Sequence, residues 1–357
     1  MNIEEILVRA VQQNASDILI VAGLPVSFKL GQVIEREGAP LSPEKTAALA
    51  RDMYVLAGNR QMDTLLLHGD DDFSVGIKNM ARFRINAFKQ RGSLSMVIRI
   101  VSFQIPDPAT LGIPESVISF ADLTHGLVLI TGPAGSGKST TLACMVDHIN
   151  TTRNAHVICI EDPIEYLHHH KMSVVSQREL NLDTDSYDAA LRAALRQAPD
   201  VILLGELRDA ETMRAAVTAA ETGHLVLSTL HTIGASSTVD RMIDAFPSQQ
   251  QNQIRNQLAQ VLEGIVTQQL FQDVTSKGLV PAFEIMKLNT AVRNMIRESK
   301  SHQLDNVIAT SSEQGMITMD QSILKLANAG RITPTAALRH CINPDWMERR
   351  MSGALRT

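Results

Sequence analysis

Three cysteines in 357 residues, Cys144, Cys159 and Cys341, are too few and too scattered to form a C-x-x-C pair. Neither a disulfide framework nor a zinc ribbon is expected, and the thiols read as reduced packing residues. Aromatic residues make up only 4% of the chain and the formal net charge is −5. A nucleic-acid binder usually carries a basic footprint and stacking platforms, and the composition offers neither. No nucleic-acid partner is expected. No apolar run approaches the roughly 20 residues needed to cross a bilayer. The opening Met1-Asn2-Ile3-Glu4-Glu5 is acidic where a secretory leader is basic, so the expectation is a soluble, cytoplasmic protein. The length and the 44% hydrophobic content are sufficient for two domains, each with its own core.

What the chain does contain is the segment Gly132-Pro133-Ala134-Gly135-Ser136-Gly137-Lys138-Ser139-Thr140, which fits G-x-x-x-x-G-K-[ST]. It follows an apolar run at 127–130 and precedes a helix-compatible stretch at 140–149, the strand, loop and helix context in which such a loop wraps a nucleotide's phosphates. Gly132, Gly135 and Gly137 can take backbone angles closed to residues with a Cβ, which turns successive N–H groups inward as a nest for phosphate oxygens. Lys138 supplies a point charge to the β- and γ-phosphates, and the Ser139 hydroxyl is placed to ligate Mg²⁺. The expected ligand is ATP with Mg²⁺. The bland alternative is a glycine-rich turn with an exposed lysine.

Before this loop, Ile3, Ile6, Leu7, Ala10 and Val11 keep helical spacing, residues 17–21 read as a strand, and Ser42-Pro43-Glu44 opens a helix to about Met53. Ala81, Phe83, Ile85 and Ala87 alternate with Arg82, Arg84, Asn86 and Phe88, the period of a half-buried strand. This first region reads as a small α+β domain over 1–101. Pro106, Pro108, Gly112 and Pro114 then mark a linker, placed at 102–120. From 121 onward strands and helices alternate as a parallel α/β domain requires. Strands at 157–160, 201–204 and 225–230 end in polar groups, at Glu161-Asp162, Gly205-Glu206 and His231, the edge where α/β sheets bind ligands.

Hydrolysis of a nucleotide needs a carboxylate to hold the metal and a base or orienter for water. Glu206 suits the first task, and at least one of Glu161, Asp162 and Glu165 suits the second. His231 is a plausible γ-phosphate sensor, since a strand-end histidine gains meaning beside a phosphate site. His168, His169 and His170 read as solvated loop residues rather than metal ligands. Arg82, Arg84, Arg91 and Arg99 read, from composition alone, as a cationic face balancing Asp70-Asp71-Asp72.

Taken together, 132–140, Glu161-Asp162-Pro163-Ile164-Glu165, 200–209 and 219–225 resemble the Walker A, Asp, Walker B and His boxes of the secretion-superfamily ATPases. Within that superfamily the chain is similar to the retraction motors of type IV pili. The resemblance extends from Ala15-Ser16-Asp17 and Ala22-Gly23-Leu24-Pro25, through 81–88, to Ala291-Val292-Arg293-Asn294-Met295-Ile296-Arg297-Glu298. That last string is similar to the AIRNLIRE element of retraction motors, with Val292 and Met295 as conservative departures. Ala291, Val292, Met295 and Ile296 would form an apolar helix face, with Arg293, Asn294, Arg297 and Glu298 opposite.

The resemblance implies a PAS-like α+β N-terminal domain, then a RecA-like P-loop ATPase domain over 121–357 with C-terminal helices. It also implies a homohexamer on the inner face of the cell membrane, an inner-membrane pilus platform protein as partner, and an accessory paralogue. By the same resemblance Glu165 activates water, Glu206 stands near Mg²⁺, His231 lies close to the γ-phosphate, and Arg84 and Arg99 reach the nucleotide. The long N-terminal extension and four-cysteine zinc element usual in assembly ATPases of the superfamily are not expected here. The alternatives are a pilus assembly or type II/IV secretion ATPase and, further off, a RecA-like nucleic-acid motor.

Overall fold

Local signals set the first helix. The Asn2 side chain accepts the Glu5 N–H at 2.8 Å while Glu5 accepts the Asn2 N–H at 2.9 Å, a reciprocal box that opens Ile3–Gln12. Ser42 accepts the Lys45 N–H and Pro43 follows it, so Pro43–Leu56 begins at the residues expected. The computed structural model describes residues 1–31, 33–77, 80–101, 104–276 and 278–354. Contacts divide the chain into two units, Met1–Gln104 with Glu165–Leu167, and Ile105–Ile164 with His168–Thr357. Ser102 and Phe103, which open the expected linker, and the last three residues of the chain lie outside the described residues. Ile113, Val117, Phe120 and Ala121, also within or beside the segment expected as linker, are buried in a core of the second unit. Among the described residues no helix is long and apolar enough to cross a membrane.

The first unit is a six-stranded antiparallel sheet formed by β1 (Asp17–Ile20), β2 (Val26–Leu30), β3 (Val33–Glu37), β4 (Asp70–Ile77), β5 (Ala81–Gln90) and β6 (Ser93–Val101), in the order β3-β2-β1-β6-β5-β4. Along β5, Ala81, Phe83, Ile85 and Ala87 are buried while Arg82, Arg84, Asn86 and Phe88 are half-buried, as the period-two pattern predicts. The register sets Arg84 directly opposite Arg99. The partners of Asp71 and Arg99 differ from the expected balance with the acidic run. Asp71 is held by Arg60 at 2.8 Å and by the Tyr54 hydroxyl at 2.8 Å, and Arg99 pairs instead with Asp17 at 3.0 Å.

The second unit is built on seven strands: β7 (Gly126–Thr131), β8 (His156–Glu161), β9 (Val174–Glu179), β10 (Val201–Leu204), β11 (Leu225–Leu230), β12 (Leu262–Gln272) and β13 (Leu279–Lys287), ordered β13-β12-β7-β11-β10-β8-β9. All neighbours are parallel except the β12–β13 hairpin at one edge. The inner strands β7, β8, β10 and β11 are mainly apolar because both faces are covered. Leu127, Leu129, Ile158, Ile160, Ile202 and Leu204 enter one core, and Val128, Ile130, Val157, Cys159, Val201 and Leu203 enter the other. Cys144 and Cys159 are buried and free, as read from their scatter, and Cys341 is half-buried.

The helix Thr290–Arg297 corrects one expectation. Val292 and Ile296 are buried against the core, but Ala291 is exposed. Arg293 does not face solvent opposite them: it donates to Ala259 O at 2.9 Å and Gln260 O at 2.8 Å and pairs with Glu263 at 2.8 Å. A long side chain whose stem lies on the helix flank reaches the spare carbonyls at the end of the neighbouring helix Ser248–Val261.

Burial raises the pKa of Asp71, but the Arg60 and Tyr54 hydrogen bonds outweigh it and hold the carboxyl below its ordinary value of 3.8. A depressed folded-state pKa contributes stability that is present above the unfolded value and lost as pH falls through the folded one. Asp71→Asn should therefore cost about 1–3 kcal/mol near neutral pH. The gap to wild type should narrow below about pH 4. Urea unfolding at several pH values measures both, and a gap that stays constant into acid overturns the assignment.

Candidate functional site

The loop after β7 is shaped for an anion. Gly132, Gly135 and Gly137 have φ of +137°, +74° and +88°, the left-handed region that turns backbone N–H groups to one side. The helix Lys138–Thr152 starts directly from this loop without a side-chain cap, so its first N–H groups remain for a ligand. Lys138 is 9% exposed, and its Nζ donates to Gly132 O and Pro133 O, both at 2.9 Å. The ammonium thus rests on its own loop's carbonyls, weak partners that phosphate oxygens would replace. Ser136 is 3% exposed and its Oγ has no hydrogen-bond partner. A buried unpaired hydroxyl in such a loop fits a ligand oxygen. Ser139 and Thr140 are half-buried at the helix start, while Pro133, Ala134 and Gly135 are exposed.

The loop is braced from behind by β12. Thr131 and Thr267 hydroxyls lie 2.9 Å apart, and Thr141 Oγ1 donates to Gln268 Oε1 at 2.7 Å. An added Cβ at Gly132 would stand 2.3 Å from Gln268 O, and one at Gly137 would stand 2.9 Å from Gln268 Nε2. Gln268, 3% exposed, is a support of the candidate site that sequence reasoning missed. Its signal lies in the polar run Thr267-Gln268-Gln269 between the apolar pairs Ile265-Val266 and Leu270-Phe271.

Register brings the other strand ends to the same edge. Thr131 aligns with Leu230, Ser228 with Leu204, and Leu204 with Ile160, so the residues that follow β7, β11, β10 and β8 emerge side by side. There His231 Nε2 lies 3.2 Å from Glu206 Oε2. Arg208 pairs with the other Glu206 oxygen and stands 3.3 Å from Asp162 Oδ2. The Glu206 bond raises the Arg208 pKa, with the charges of Glu206 and Asp162 adding to it. Burial and then the Asp162, Glu206 and Glu161 carboxylates push the Tyr187 phenol well above its usual range. Its hydroxyl packs where a Cβ on Gly205 would be, 2.8 Å away.

Three of the remaining predicted residues belong to the first unit. Glu165 is exposed and groups with that unit. Arg84 and Arg99 belong to the first unit's sheet, as facing residues of β5 and β6. Among the histidines, His169 and His170 are exposed as expected, but burial pushes His168 down to about 4, so it is not a solvated residue.

Gly132→Ala should abolish ATP binding, because backbone of β12 blocks the methyl group. Gly135→Ala meets nothing within 4 Å and should cost only the strain of its positive φ, about 1–2 kcal/mol. Titration with a fluorescent ATP analogue separates the two, and equal losses refute the packing argument.

Comparison with known proteins fits this geometry. Residues 1–302 match the family described as type II/IV secretion system protein. The chain is 41% identical over 334 residues to the type IV pilus retraction ATPase PilT of Pseudomonas aeruginosa, covering 93% of this chain and 96% of that one. It is 40% identical over 341 residues to the type IV pilus ATPase PilU of the same organism, covering 95% and 88%. The crystal structure of the pilus retraction motor PilT with bound ADP superposes with a TM-score of 0.88 at 44% identity, covering 98% of this chain and 99% of that one. The fold is therefore the expected one, a PAS-like α+β domain followed by a RecA-like P-loop domain. With the phosphate loop, the strand-end acid and the strand-end histidine all inside the matched span, the chain belongs to the type II/IV secretion system protein family.

Proposed function

We propose that this chain is the motor ATPase that powers type IV pilus retraction, turning ATP and water into ADP and phosphate. The observation that carries the reading is the preformed phosphate loop, with Lys138 resting on the Gly132 and Pro133 carbonyls, in a chain that spans 96% of a retraction ATPase at 41% identity. The loop N–H groups, the start of the helix Lys138–Thr152 and the Lys138 ammonium bind the phosphates. Ser136 Oγ, buried and unpaired, has a donor to give them.

Ser139 and Glu206 offer the hard oxygen ligands that Mg²⁺ prefers, and they would hold the ion that accompanies ATP. Held there, it would supply positive charge to the phosphates. In this reading Glu165 takes the proton of the attacking water as its oxygen bonds the γ-phosphorus and the bond to the bridging oxygen of ADP breaks. His231 reports on the γ-phosphate, and Arg84 and Arg99 supply charge as the bond breaks. The face-to-face register of Arg84 and Arg99 favours such a role, because like charges directly opposite destabilise a sheet. The motor works as a homohexamer at the cytoplasmic face of the membrane, on an inner-membrane pilus platform protein. A PilU-like paralogue is its companion, and no nucleic acid takes part.

Glu165→Gln should keep ATP binding while hydrolysis falls on the order of 100-fold or more; turnover near wild type would assign the base elsewhere. Deleting the gene and imaging the cells tests the biological role. Excess, non-retracting pili are expected, and loss of pili would make the protein an assembly motor instead.

A further inference from the structure

One buried carboxylate holds the first N–H of two separate helices. Glu284 in β13 is 2% exposed, and its Oε1 accepts the Ala235 N–H at 2.7 Å while its Oε2 accepts the Met319 N–H at 3.2 Å. The helix Met319–Asn328 already has a cap of its own, a reciprocal box between Thr318 and Gln321. The helix Ala235–Asp244 has none: Gly234 precedes it with φ +93° and no side chain to offer. Glu284 therefore supplies the acceptor that the start of this helix lacks. An apolar side chain of similar size would leave the buried Ala235 and Met319 N–H groups without this acceptor.

A task for Glu284 is suggested by what precedes Ala235. His231-Thr232-Ile233-Gly234 is the short loop that joins β11 to this helix. Thr232 Oγ1 lies 2.7 Å from Thr238 Oγ1, and Thr238 Oγ1 also reaches Gly234 O at 2.7 Å. The loop is thus tied to the helix, and the helix is tied to Glu284. At the loop's other end His231 Nε2 meets Glu206 at 3.2 Å. We propose that Glu284 is a positioning residue for hydrolysis: it anchors the start of Ala235–Asp244 and so sets where His231 stands against Glu206. The same carboxylate joins that loop to Met319–Asn328, so a shift of this C-terminal helix is felt at His231. The inference rests on the role given to His231 above.

Steady-state ATPase of the full chain tests it as a double-mutant cycle. Glu284→Gln keeps the side chain's size but places an amide donor against a backbone N–H. Its kcat should fall on the order of 10- to 100-fold with KM for ATP unchanged. In a His231→Ala background the same change should cost nothing further, which a merely structural role would not produce. Equal fold losses in both backgrounds, or wild-type kcat in Glu284→Gln, overturn the proposal and leave the role of His231 standing. Wild-type kcat in His231→Ala alone overturns both. If Glu284→Gln does not fold, Thr238→Val cuts the same linkage from the helix side and carries the same cycle with the same readings.

Discussion

The phosphate loop lies so close to β12 that Gly132 has no room for a side chain: the Gln268 carbonyl oxygen occupies the place a Cβ would take. A loop that aims its N–H groups at a ligand cannot use them to hold itself together. Its support has to come from behind, and here it comes from one strand. Thr267 reaches Thr131 before the loop, and Gln268 reaches Thr141 after it. Loop entry, loop exit and the helix Lys138–Thr152 are thereby referred to the same two residues of β12. That preorganisation lets phosphate oxygens meet donors already in position, without a reorganisation cost at binding.

Beside the loop, the order β7-β11-β10-β8 collects polar groups at the C-terminal edge of an otherwise apolar sheet. Arg208 is 56% exposed and His231 60%, while Glu206 is 21% exposed. Pairs this open to water contribute little to stability, so the cluster makes better sense as a device for holding a carboxylate in place. Arg208 and His231 each take one of the two Glu206 oxygens, which orients the carboxylate. Deeper ionic groups do different work. Asp273, 3% exposed, accepts from Arg331, Thr275 and Ser276 and closes the β12–β13 turn. Glu284 ties helix starts together.

Much of this was legible in order along the chain. The strands at β7, β8, β10 and β11, the loop between Gly132 and Lys138, and the acid and histidine at strand ends follow from periodicity and from residue types at fixed spacing. The readings that failed concern partners. The arginines of β5 and β6 do not answer Asp71, because Arg60 and Tyr54 reach it first. Arg293 turns to the carbonyls of a neighbouring helix, and Ala291 faces out although its helix is amphipathic. His168 is withdrawn from water in a run that reads as uniformly solvated.

By itself the sequence determined the elements that depend on consecutive residues: the helix caps at Asn2 and Ser42, the buried alternation of β5, and a nucleotide loop whose glycines and lysine are contiguous. It also determined the family, because the motifs occur in one fixed order. Only the tertiary structure decided that Gln268, 127 positions after Thr141, supports that loop. It also decided that Arg84 faces Arg99, and that Glu284 serves two helices at once. These outcomes depend on strand order and register. A hydrogen bond has a reach of about 3 Å, and nothing in the local spacing of residues says which distant side chain the fold will bring within it.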